Sequence, residues 1–241
     1  MQQNTELSKG DKMKNIGTKI IEQVLLFDDH KNSDKPIAIS TTTVIGSNWK
    51  AQRSMLKDIP KKDGSTIDPM MRRSACLGTG YHMRAEQALR GDINTKAIEK
   101  FNERELDGVW ISGTFDLLYC VDGKNHLNDH KTGYGKLFPE TNIEKAILQQ
   151  SIYRWLNQDD YAIDDTAYIL FVSQSNNAYE GIEITLMSIE DTETYLKGRI
   201  KEIKAQGMID CKNNVKYNPC NYCDYDEKDC KKLYENQAGG F

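Results

Sequence analysis

The chain has 241 residues, 38% of them apolar and 28% charged, with a formal net charge of −4. That length admits one large domain with modest additions, and no apolar run approaches the roughly 18 residues that a helical bilayer crossing needs, so a membrane-spanning protein is not expected. The slight acidity excludes a globally basic binder of nucleic acid but leaves room for a local basic patch. Met1 to Lys14 is polar and lacks the apolar stretch of a secretory signal, which points to the cytoplasm. Thiols stay reduced there, and six cysteines then suggest metal before disulfides.

In chain order, residues 1–14 read as a disordered N-terminus. Ile16, Ile20, Ile21, Val24 and Leu25 recur at helical spacing and predict a helix to Phe27. A polar turn leads to a Thr- and Ile-rich strand or extended segment over Ile37–Ile45. Asn48–Leu56 reads as helical, and Lys57–Pro69, with Gly64 and two prolines, as a loop. A helix should run from Met71 toward Leu89 or Arg90. Val109–Val121 is β-branched, aromatic and apolar, a central strand; Asp122–Asn125 is a turn and His126–His130 the next strand. Asn142–Asn157 is a helix with Leu148, Ile152, Trp155 and Leu156 on its apolar face. Thr166–Ser173 and Gly181–Met187 are further strands. Ser188–Gln206 is a helix with Ser188 and Asp191 as a capping box and Leu196, Ile200 and Ile203 as its buried stripe. Strands bracketed by helices make an α/β (α+β) domain. Its expected extent is 15–208, followed by a cysteine-rich metal-binding tail over 209–232.

The chemistry concentrates where strands end. Gly113-Thr114-Phe115-Asp116 puts a carboxylate in an apolar strand, where it is costly unless paired or bound to a cation. Asp129-His130-Lys131 closes the next strand. Period-two alternation points Asp129 and Lys131 to one face, so Asp129 can ligate a metal beside Asp116 while the Lys131 ammonium positions an attacking water or offsets charge building on a phosphate. His130 points away, and its backbone carbonyl is a candidate further ligand. Two acids and a lysine at a sheet edge suit one or two hard cations and phosphodiester hydrolysis. Gly78-Thr79-Gly80-Tyr81-His82 precedes Glu86; His82 and Glu86 share a helix face, the first a candidate ligand and the second its orienting partner. Gln149 and Tyr153 share another face and can hold a phosphate oxygen or a base edge. Glu103 and Glu105, ahead of the central strand, receive no role. Cys220-x-x-Cys223 with Cys230, preceded by Cys211, has metal-ligand spacing.

The order Gly-Thr-x-x-His-x-x-x-Glu, Gly-x-x-Asp, Asp-x-Lys-Thr-Gly, Gln-x-x-x-Tyr resembles the RecB-type, phage exonuclease-like branch of the PD-(D/E)XK nuclease superfamily over roughly residues 37–230. The resemblance implies a restriction-endonuclease-like core: a central mixed sheet flanked by helices. It implies that His82, Asp116 and Asp129 bind Mg²⁺ or Mn²⁺, that Lys131 assists the water, and that Gln149 and Tyr153 lie near DNA. Some relatives close their fold with a [4Fe–4S] cluster held by one cysteine ahead of the His motif and three near the C-terminus. Cys220, Cys223 and Cys230 match the three. The fourth is Cys76, or Cys211, which would make a local four-thiolate site better suited to zinc.

The expectation is therefore a Mg²⁺- or Mn²⁺-dependent deoxyribonuclease, an exonuclease of recombination, repair or phage DNA processing, in a bacterial or phage-infected cytoplasm. The resemblance also implies a recombinase, annealing protein or helicase as partner and a homo-oligomer as assembly. The alternative is a non-catalytic nucleic-acid-binding subunit held together by a zinc or iron–sulfur tail.

Overall fold

The structure, a computed structural model, describes residues 34, 35, 37–46, 51 and 73–205. The expected N-terminal helix, most of Asn48–Leu56, the Lys57–Pro69 loop and the tail cysteines Cys211, Cys220, Cys223 and Cys230 lie outside the described residues. Among the described residues, no helix is long and apolar enough to cross a membrane.

The described elements begin with strand β1 (Ala38–Ser40) and a single helical turn, α1 (Thr41–Val44). The segment expected to stay extended to Ile45 bends here because Ser40, itself extended, caps the turn by accepting the Thr43 N–H at 3.3 Å. Helix α2 (Arg73–Leu89) follows, then β2 (Thr95–Leu106), β3 (Val109–Val121) and β4 (Lys124–Gly133). A 3₁₀ turn at Glu140–Asn142 opens α3 (Ile143–Leu156). Strands β5 (Thr166–Ser173) and β6 (Tyr179–Thr185) and helix α4 (Ile189–Ala205) complete the order.

The six described strands form one mixed sheet, β1-β3-β4-β5-β6, with β2 on the other edge of β3. Two Asp-Gly pairs make the hairpins. Asp107-Gly108 and Asp122-Gly123 both take left-handed conformations, with φ of 52° and 76°, and 50° and 79°, the twist that tight two-residue turns require. Along one edge, β3 pairs with β2 over almost its whole length. Its other edge is shared: Trp110–Ser112 pair in parallel with β1, and Leu117–Val121 pair antiparallel with β4. Between those pairings lie Gly113 to Asp116, at the point where β1 leaves and β4 joins. Beyond it, β4 runs parallel to β5, and β5 antiparallel to β6.

The core forms where the sequence patterns place it. Ile152, Trp155 and Leu156 of α3 and Leu196, Ile200 and Ile203 of α4 are buried, while Leu148 is half-buried. Helix α3 packs on both β3 and α4. Every second residue of β5, from Ala167 to Ser173, is buried, as a strand with one packed face requires. Ser188 caps the helix as expected: its hydroxyl accepts the Asp191 N–H at 3.0 Å and donates to the Asp191 carboxylate at 2.7 Å. Ser188→Ala should cost about 1 kcal/mol of stability, read as a lowered urea midpoint with an unchanged slope.

Strand β2 has no counterpart in the sequence reading. Thr95–Leu106 is rich in charge and carries no apolar alternation, because only one of its edges is paired in the sheet and charges suit such an outer strand.

Candidate active site

At the partner change of β3, Asp116 uses its side chain where a strand would use a carbonyl. Its Oδ2 accepts the His130 backbone N–H at 2.7 Å. Burial pushes the Asp116 carboxyl up to about 7, and the Asp129 charge adds to the shift; Lys131 and the His130 N–H oppose it and lose.

On β4, alternation brings Asp129 and Lys131 together as expected. Lys131 Nζ lies 3.0 Å and 2.8 Å from the two oxygens of Asp129, which is only 1% exposed. The same ammonium donates to Gln149 Oε1 at 3.2 Å, and Gln149 Nε2 donates to the Tyr153 hydroxyl at 2.9 Å. Gln149 and Tyr153 therefore reach the site through Lys131, and burial pushes the Tyr153 phenol well up, so it stays protonated.

His82 comes from α2. Its Nε2 is 2.8 Å from the His130 carbonyl oxygen, an acceptor only, so Nε2 carries the proton. Nδ1 then faces Asp116 Oδ2 at 3.6 Å and Glu99 Oε1 at 3.9 Å. The His130 ring packs edge-on to Tyr81 and His82, with centroids 5.7 Å and 5.6 Å away. Burial, then the neighbouring His82 and Lys131, hold it down to about 4, so it stays neutral.

Three of the expected site residues have the following partners. Glu86 lines the same cleft and is engaged by Arg90, one helical turn on. The His130 carbonyl accepts a hydrogen bond from His82 Nε2. Asp129 is paired with Lys131, and His82, Glu99 and Asp116 form a cluster of donors, with one atom of each within 4.8 Å of the others. Glu99 was missed because β2 was missed. The Asp107-Gly108 pair, read as a hairpin turn, would have exposed it. Cys76 on α2 and Cys120 in β3 are both half-buried free thiols.

The donor set fits a hard divalent cation. One imidazole nitrogen and two carboxylates within 4.8 Å of one another are donors that such an ion takes. Because the Asp116 carboxyl titrates near 7, a cation must displace its proton below that pH. Mn²⁺ affinity should fall about tenfold from pH 8 to pH 6, and calorimetry at pH 6 in buffers of different ionisation enthalpy should show one proton released.

A mixed sheet with an acid on its central strand and Asp-x-Lys on the next is the frame of a restriction-endonuclease-like nuclease core. The model of the PD-(D/E)XK nuclease superfamily matches residues 51–228, and the chain belongs to that superfamily. No curated protein matches the chain. Among solved structures, SSO0001 is similar with a TM-score of 0.56 at 16% identity, over 79% of this chain and 88% of that one. The alkaline exonuclease LHK-Exo from Laribacter hongkongensis overlaps with a TM-score of 0.42 at 13% identity, over 70% of this chain and 88% of its own.

Proposed function

We propose that the protein is a divalent-cation-dependent DNA nuclease that degrades linear DNA from its ends, in recombination, repair or phage DNA processing. The observation that carries this reading is the Lys131 ammonium, held between Asp129 and Gln149, beside a cluster of imidazole and carboxylate donors. His82 Nδ1, Asp116 and Glu99 would hold Mg²⁺ or Mn²⁺. Bound there, the cation supplies electrophilic stabilisation of phosphate charge and lowers the pKa of water. The protein's own groups do the rest. Asp129 keeps the Lys131 ammonium aimed, so that its N–H bonds meet charge developing on the phosphate. Gln149, anchored by Tyr153, fixes the ammonium from the other side. The Nε2–H bond to the His130 carbonyl holds the imidazole with its lone pair inward. Action from DNA ends follows the resemblance to RecB-type exonucleases.

The test is cleavage of end-labelled linear and covalently closed circular DNA with Mg²⁺ or Mn²⁺, with and without chelator. Chelator-sensitive loss of linear DNA with circles spared is the expected result. Cut circles would leave a nuclease and remove the exonuclease. An inert protein that still binds DNA would replace this reading with the non-catalytic subunit.

A further inference from the structure

Strand β4 ends at Gly133, and the next residue, Tyr134, is exposed. We propose that the loop after β4 and the β5–β6 turn form a stacking platform for unpaired bases beside the scissile phosphate, with Tyr134 as the stacking ring, so that the protein takes a DNA end with a single-stranded segment. The inference rests on the nuclease reading, in which Lys131 marks the reacting phosphate.

Continuity with the site is the first reason. Lys131 and Gly133 lie on one strand, paired with Phe171 and Ser173 of β5. Three residues of chain, from Lys131 to Tyr134, span at most about 10 Å, the length of about three stacked nucleotides of one strand. A strand whose phosphate lies at Lys131 therefore carries its next bases within reach of Tyr134.

The second reason is exposure on a tied backbone. Tyr134 is 57% exposed, Leu137 65% and Tyr179 83%. Beneath them, the Gly133 carbonyl accepts the Gln174 N–H at 2.6 Å, and the Tyr134 carbonyl accepts the Ser175 hydroxyl. At the far side of the loop the Phe138 ring packs on Phe171, with centroids 5.9 Å apart. The Phe138 N–H donates to Glu180 Oε2 at 3.3 Å, one residue from Tyr179. Single exposed apolar side chains are ordinary, but here three stand on two loops hydrogen-bonded to each other. A tyrosine has two side-chain torsions, so on a fixed backbone it loses little entropy when a flat partner covers it.

Charge names the partner. The chain carries 36 acidic residues, yet neither residues 131–138 nor residues 173–179 include an aspartate or glutamate. These segments offer the exposed Lys136, Asn176 and Asn177 instead. Rings interleaved with a cation and amides, with acids left out, suit a polyanion that presents base faces. A duplex hides those faces in its stack, so the ring is matched to unpaired bases.

The experiment is fluorescence anisotropy with a labelled oligothymidylate and a labelled blunt duplex, with chelator present so that nothing is cut. The proteins are wild type, Tyr134→Ala, Tyr134→Phe and Val121→Ala. Val121 is exposed at the turn where β4 begins, paired with Lys124. Tyr134→Ala should bind oligothymidylate about 5- to 150-fold more weakly. Tyr134→Phe, which keeps the ring and loses the hydroxyl, should bind like wild type, and so should Val121→Ala. Duplex affinity should be the same in all four, which also shows that the variants are folded. Wild-type oligothymidylate affinity in Tyr134→Ala overturns the platform, as does an equal loss on both DNAs, which would put the contact on the sugar-phosphate chain. No oligothymidylate binding by wild type overturns it too. The expected Tyr134 effect in a protein that cuts no DNA with Mn²⁺ or Mg²⁺ upholds the platform and overturns the nuclease reading. Cutting without a Tyr134 effect does the reverse.

Discussion

Lys131→Ala is expected to slow cleavage of linear DNA by about 10²- to 10³-fold, the usual loss when a preorganised donor to developing charge is removed. Mn²⁺ affinity should survive, because Lys131 is not among the clustered donors. The variant also strands Asp129, whose carboxylate is 1% exposed and loses its ammonium partner. A buried charge without a counter-charge destabilises the fold, so Tm should fall too. The double variant Lys131→Ala/Asp129→Asn removes that stranded charge. It should recover Tm and remain slow, a non-additive pair in stability and a single defect in rate. Single-turnover cleavage and thermal melting on the four proteins decide the matter. A Lys131→Ala protein that cuts within about tenfold of wild type would take the lysine out of the chemistry.

Gly113→Ala is the second large effect, and it ties fold to site. A Cβ at Gly113 would lie 2.5 Å from Thr41 Oγ1 and 2.6 Å from Tyr153 Cε1. Neither neighbour is free to move. Thr41 is buried, and its hydroxyl donates to the Ser112 carbonyl at 3.0 Å. Tyr153 is buried and anchors Gln149. Overpacking of this kind costs roughly 3 kcal/mol, which for a chain of this size lowers Tm by about 6–12 °C. The displaced Tyr153 should carry Gln149 and Lys131 with it, so cleavage should fall even well below the new Tm. An unchanged melting curve would mean that α1 and α3 give way more easily than their burial suggests.

Much of this molecule is written in local pattern. The β5 boundaries at Thr166 and Ser173, the helix cap that Ser188 makes with Asp191, and the buried stripe of Leu196, Ile200 and Ile203 come from alternation and helical spacing, which neighbouring residues alone determine. For the same reason, the sequence places Asp129 beside Lys131 and Gln149 beside Tyr153, two and four residues apart. It also marks Asp116 as an acid in an apolar strand. The motif order carried the superfamily, which the family model bears out.

Tertiary structure decided the rest. Glu99 meets Asp116 only because the Asp107-Gly108 turn sets the β2–β3 register, and a charged outer strand has no periodicity to announce it. Gly113 is confined by Thr41 and Tyr153, far away in sequence. Glu86 turns to Arg90, and the His130 carbonyl to His82, through hydrogen bonds that spacing does not specify. Residue types and their intervals determined which groups bear the chemistry. The partner change along β3 determined which of them meet, because contacts across a sheet depend on strand order and register, and those are settled by packing the whole chain at once.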